Sequence, residues 1–127
     1  VGMHGTKTSN FGISESDLLI AIGTRFSDRV LGNVKTFARH ADIVHIDVDA
    51  AEINKNVVCK YYVEGDAKEV LQRFNECLMQ QNHEQWMKHI REMKSRFPLW
   101  LNHASLTGPT VVDLIYKATK GDAIIVT

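Results

Sequence analysis

The feature that most constrains this chain is a pair of strand-type segments separated by a span long enough for a helix. Asp17-Leu-Leu-Ile-Ala-Ile22 is a continuous apolar run closed by Gly23, the pattern of a strand buried on both faces. Asp42-Ile-Val-His-Ile-Asp-Val-Asp49 alternates: Ile43, His45, Asp47 and Asp49 share one face, and Val44, Ile46 and Val48 share the other. Between them, Gly32 to Arg39 can form a short crossover helix. Strand, crossover and strand predict an α/β fold built on a parallel sheet with crossover helices.

Further elements extend this pattern. Tyr61-Tyr-Val63 reads as a third strand, followed by Glu64-Gly65-Asp66. Asp66 with Glu69 fits a helix N-cap and capping box. Val70, Leu71, Phe74, Cys77 and Leu78 then lie on one face of a helix running to about Gln81. A second amphipathic helix is predicted over Glu84 to Arg96, its apolar side carrying Trp86, Met87, Ile90, Met93 and the adjacent Phe97, with Pro98 ending it. Asn102 to Pro109 is polar and reads as a linker. Pro109 suits the first turn of another helix, Lys120-Gly121 its end, and Asp122-Ala-Ile-Ile-Val-Thr127 a last strand.

Composition removes several classes. Lys plus Arg and Asp plus Glu are each 15, so there is neither the basic excess of a nucleic-acid binder nor a polybasic membrane arm. The longest apolar run, Leu18–Ile22, is far short of the ~18 residues of a membrane helix. Cys59 and Cys77 have neither disulfide-scaffold density nor C-x2-C spacing, which favours a reducing compartment. His4, His40, His45, His83, His89 and His103 show no metal-binding spacing. No nucleophile elbow or catalytic carboxylate pair stands out.

Three segments can carry a ligand, each with a plainer alternative. Gly2-Met-His-Gly-Thr6 allows tight turns and close backbone approach, or is a loop entering a helix. Gly23-Thr-Arg-Phe-Ser-Asp-Arg29 follows the first strand, where parallel sheets bind ligands, and its arginines suit an anion; otherwise they form a solvated ion pair with Asp28. Asp47 and Asp49 end the second strand, where an acidic group takes a ribose hydroxyl, or Asp49 caps the next turn with Glu52. The G-x-G-x-x-G fingerprint is absent. Alone, these signals indicate a nucleotide-type ligand at the ends of a parallel sheet.

Taken together, the segments resemble a known family. Gly2-Met-His-Gly-Thr-Lys-Thr-Ser-Asn10, Asp17 to Val30, Gly32-Asn-Val-Lys-Thr-Phe37, His45-Ile-Asp-Val-Asp49, Glu52-Ile-Asn-Lys55 and Gly65-Asp66 look like the catalytic large subunit of acetohydroxyacid (acetolactate) synthase. The likeness runs in order across about residues 2–75 and resumes from Gly108 to Thr127; residues 80–107 match only in kind. The resemblance implies condensation of two pyruvates, or of pyruvate and 2-ketobutyrate, with thiamine diphosphate, Mg²⁺ and FAD as cofactors. Residues 1–80 would be the second half of a Rossmann-like central FAD-binding domain, 81–107 a helical connector, and 108–127 the opening helix and strand of the thiamine-diphosphate domain.

By the same resemblance, Gly2, Met3, His4, Gly5 and Thr6 would line the flavin, with Gly23, Arg25, Asp28, Arg29 and Val30. Asp47 and Val48 would meet the adenosine side, helped by Ile53, Gly65, Asp66 and Ala67. Met3, Asp28 and Arg29 would also border the substrate channel where family inhibitors bind. Ser27 and Ala50 stand where Asp and Pro are common in the family, and neither removes a proposed ligand. The catalytic glutamate and the metal ligands are expected outside Val1–Thr127, so the segment alone should be inactive. It should also self-associate through exposed apolar sheet edge. The parent is expected to be a cytoplasmic bacterial homo-oligomer, with a regulatory subunit or an organellar source left open. Alternatives are another thiamine-diphosphate carboligase or decarboxylase, or a non-catalytic nucleotide-binding module.

Overall fold

A computed structural model describes residues 1–101 and 104–126. The chain divides into two compact units, Val1–Phe97 and the segment from Pro98 onward. The first unit opens with a 3-10 turn, Gly2–His4, and helix α1, Lys7–Glu15. Strand β1, Leu18–Ile22, is followed by the short helix α2, Asp28–Leu31. Strand β2, Asp42–Asp47, leads through a 3-10 turn at Ala50–Glu52 to β3, Tyr61–Glu64. Helices α3, Ala67–Cys77, and α4, Glu84–Arg96, complete it.

All strand pairs are parallel, in the order β1-β2-β3, so β2 is central. The register sets Leu19 beside Ile43, Ala21 beside His45 and Ile22 beside Ile46. Paired residues share a face, so Leu19, Ala21, Ile43 and His45 line one side of the sheet. That side meets Phe26, Leu31, Ala38, Val57 and Cys59 in the main apolar cluster. On the opposite side α3 packs against β2, and Ile46 is fully buried. Alternation in β2 therefore marks two covered faces rather than one wet and one dry.

Several local expectations change. β1 is buried on one face only: Ala21 is covered, but Leu18, Ile20 and Ile22 stay exposed. The crossover is helical at Asp28–Leu31 and then runs through turns, not as a helix over Gly32–Arg39. Positive φ at Gly32 (61°) and at Ala38 (45°) breaks the helical path. Helix α3 also stops at Cys77, four residues before the expected end at Gln81, with Leu78 already extended. Its start follows the sequence signal, since the Asp66 side chain accepts from the Lys68 and Glu69 amides.

Helix α4 folds back on α1, with Phe11 and Phe97 stacked at 5.3 Å and Met93 buried. In the second unit, helix α5 spans Gly108–Thr119. The Thr107 side chain caps it and Lys120 ends it in the left-handed conformation. Asn102 and His103 of the expected linker lie outside the described residues, as does Thr127. The last strand is not formed over Asp122–Val126, because an apolar segment becomes a strand only with a ladder partner.

Candidate functional site

The loops leaving the carboxyl ends of the three strands meet, and specific hydrogen bonds tie them together. The Gly23 amide donates to the Ile46 carbonyl at 2.9 Å, and the Gly65 amide donates to the Asp47 carbonyl at 2.9 Å. Asn56 Nδ2 donates to the Arg25 carbonyl at 3.1 Å, pinning the β1 loop to the segment after β2. In a parallel sheet this is the end at which ligands bind.

The β1 loop takes its shape from two left-handed residues. Gly23 has φ 59°, with open space where a Cβ would project. Phe26 has φ 45°, an uncommon conformation for a bulky residue, and it turns the ring down into the core. There it meets His45 edge-on at 5.1 Å and Phe37 at 5.9 Å. With Phe26 inside, Arg25, Asp28 and Arg29 are left exposed on the outer side of the loop. Among the described residues, neither guanidinium forms an ion pair or hydrogen bond, so the alternative of an Arg–Asp pair is not realised. Asp28 Oδ1 instead accepts the Arg29 amide at 2.9 Å.

Asp47 closes β2 as a buried carboxylate. Its Oδ1 accepts the Asp49 amide at 2.9 Å, and its Oδ2 faces His45 Nε2 at 3.6 Å. Asp49 is the capping residue of the plain alternative: it accepts the Ala51 amide at 2.9 Å. The capping box with Glu52 is not made. Glu52 pairs with Lys55 instead, at 2.8 Å. Val48 is exposed and Ile53 half-buried beside this turn. Asp66 is engaged in capping α3, whose first residue is Ala67.

The amino-terminal segment lies against the start of α2 rather than over the strand ends. Gly2, at φ 73°, sits so close that a Cβ would fall 2.1 Å from the Arg29 carbonyl oxygen and 2.7 Å from Val30 Cα. Asn10 clamps it from α1, accepting the Gly2 amide at 2.8 Å and donating to the Gly2 carbonyl at 3.0 Å. A cleft of about 290 Å³ opens here, lined by Gly2, Met3, Val30, Asn10, Ile13 and Phe37 among others. Met3 and His4 are exposed and Gly5 is half-buried. Thr6 behaves as the plain alternative predicts, capping α1 through the Ser9 amide.

Sequence reasoning thus missed Asn10, Phe26, His45 and Asn56. His45 carried a signal, since it alternates onto the face of Asp47. Asn10 and Asn56 act on backbone groups distant in sequence and left none. No group of three or more potential metal-ligating side chains occurs among the described residues. No described helix is long and apolar enough to cross a membrane.

The first unit is a parallel α/β unit with exposed arginines on the β1 loop and a buried carboxylate closing β2, the class of fold that takes its ligands at the carboxyl ends of the strands. The chain belongs to the thiamine pyrophosphate enzyme family: the model of that family's central domain matches residues 1–74. Its relatives are acetolactate synthase large subunits. A probable acetolactate synthase large subunit of Methanocaldococcus jannaschii is 50% identical over 97 residues, covering 74% of this chain and 16% of the relative. The chloroplastic acetolactate synthase of Arabidopsis thaliana is 39% identical over 135 residues, covering all of this chain and 20% of the relative. The isozyme 2 large subunit of Escherichia coli is 34% identical over 129 residues, covering all of this chain and 23% of the relative. The chain therefore spans about a fifth of their length.

Proposed function

We propose that this chain supplies the dinucleotide-holding surface of an acetolactate synthase large subunit, with FAD as the ligand of the strand-end loops. The observation that carries the reading is that the three strand-end loops are tied together, by Gly23 to Ile46, Gly65 to Asp47 and Asn56 to Arg25, with the Arg25 and Arg29 guanidinium groups free and Asp47 a buried carboxylate closing β2. Asp47, an acidic group at a strand's carboxyl end, would accept a ribose hydroxyl. The arginines offer planar, multi-donor contacts to pyrophosphate or to flavin carbonyls. Met3, His4, Gly5 and Val30 would border the flavin along the cleft, and Val48 would cover the adenosine side.

The whole enzyme would join two pyruvates, or pyruvate and 2-ketobutyrate, with release of CO2, in branched-chain amino-acid synthesis. Thiamine diphosphate with Mg²⁺ supplies the carbanion chemistry when bound. This chain's residues position the dinucleotide and border the substrate channel through Met3, Asp28 and Arg29. Catalytic and metal-binding residues would lie elsewhere in the subunit. The full enzyme would be a homo-oligomer, open to a regulatory subunit.

Calorimetric titration of a full-length large subunit carrying this segment with FAD tests the reading. Binding by the parent that Arg25→Ala/Asp47→Ala abolishes is the expected result. Equal affinity in the two proteins would overturn it.

A further inference from the structure

His45 is the odd residue of the core. It sits in the middle of the central strand, is fully buried, and has both ring nitrogens sealed from solvent with no hydrogen-bond partner among the described residues. A neutral imidazole carries one N–H donor, and a buried donor left unpaired carries a standing free-energy cost. An apolar ring here would fill the same space without that cost, so the polarity of His45 calls for an account.

The geometry supplies one. His45 and Asp47 are two residues apart on one strand and therefore share a face. Nε2 lies 3.6 Å from Asp47 Oδ2, beyond the ~2.9 Å of an N–H···O bond. The ring lies edge-on against Phe26 at 5.1 Å within a packed strand, which leaves it little room to move. Asp47 has more freedom. One of its oxygens is held by the Asp49 amide at 2.9 Å, while the other needs only a shift of roughly 0.7 Å to reach the 2.9 Å bond.

We infer that His45 is a positioning residue for Asp47, its buried Nε2–H closing onto Oδ2 when a ribose hydroxyl engages the same carboxylate. The inference rests on the proposed dinucleotide site. A donor behind the carboxylate fixes its plane and sustains its charge, as supporting hydrogen bonds do for carboxylates and imidazoles at other ligand sites. The Asp49 amide and the His45 ring then hold two corners of the group while its remaining lone pairs face the ligand. His45 touches no ligand atom itself.

The test compares FAD with FMN, which lacks the adenosine half, in a full-length large subunit carrying this segment. Asp47→Asn is expected to weaken FAD about tenfold and leave FMN unchanged. His45→Phe should weaken FAD several-fold, again sparing FMN, and should add nothing to Asp47→Asn in the double variant. His45→Gln, which returns an N–H near the Nε2 position, should recover most of the loss. Equal weakening of FAD and FMN by His45→Phe, no weakening, or additivity with Asp47→Asn would overturn the inference while leaving the dinucleotide site standing. An Asp47→Asn variant that binds FAD normally would overturn the ribose contact itself, and this inference with it. A structure of the unaltered protein with FAD needs no variant: Nε2–Oδ2 within about 3.0 Å is expected, and a separation still near 3.6 Å refutes closure.

Discussion

Replacing Gly2 by alanine probes the joint between the amino-terminal segment and α2. An added Cβ would meet the Arg29 carbonyl oxygen at 2.1 Å and Val30 Cα at 2.7 Å, and both are backbone atoms that cannot rotate away. Relief requires the two segments to part by about 1.4 Å, since the contact stands at 2.1 Å and ordinary contact begins near 3.5 Å. That separation stretches the paired Gly2–Asn10 hydrogen bonds of 2.8 and 3.0 Å, each worth roughly 1 kcal/mol. The left-handed backbone at φ 73° adds about 1 kcal/mol for a residue with a Cβ. Together the change should cost about 3 kcal/mol. Gly23→Ala provides the internal control, because Gly23 has a similar φ of 59° but open space around the added carbon. It should cost only the backbone part, about 1 kcal/mol. Urea unfolding of the two variants measures the difference. Hydrogen exchange at the Val30 amide should quicken in Gly2→Ala alone. Equal losses for the two substitutions would refute the close approach.

Three further outcomes follow from packing, capping and titration. Ile46→Ala removes a fully buried side chain from the central strand and should cost about 2–5 kcal/mol, seen as a large fall in Tm; a loss under about 1 kcal/mol would contradict its burial. Asp66→Ala releases two helix amides and should cost about 1 kcal/mol, while Asp66→Asn should retain most of it, as chemical denaturation would show. Burial raises the Cys59 thiol, partly offset by a hydrogen bond from the Asn54 backbone. Folding therefore favours the protonated thiol. That contribution is fully present below the ordinary thiol range and is lost as pH rises through the elevated folded value. Alkylation timed by mass spectrometry near pH 8 should modify exposed Cys77 well before buried Cys59, and equal rates would contradict the assigned environments.

What the sequence shows most clearly is periodicity and local capping. The alternation of Asp42–Asp49 places β2, and Asp66 marks the start of α3, because both signals are carried by neighbours in the chain. The crossover is harder to read. Gly32–Arg39 is long enough for a helix, yet the helix forms one segment earlier, at Asp28–Leu31, and Gly32 and Ala38 take positive φ that ends the helical path. Asp122–Val126 is strand-like in residue type but lacks the partner that makes a strand. At the candidate site, Arg25, Asp28 and Arg29 are legible as polar residues following a strand, and Asp47 as the acidic end of one. The inward turn of Phe26 and the resulting burial of His45 are not, since both depend on contacts between residues far apart in sequence.

Hydrogen exchange with and without FAD shows whether the loops at the carboxyl ends of the three strands hold a dinucleotide. FAD should slow exchange in Gly23–Arg29, Asp47–Ile53 and Gly65–Ala67, while Glu84–Arg96 is unchanged. Unchanged exchange in all three loops, or protection confined to the opposite end of the sheet around Ser16–Asp17 and Asp42, would contradict it.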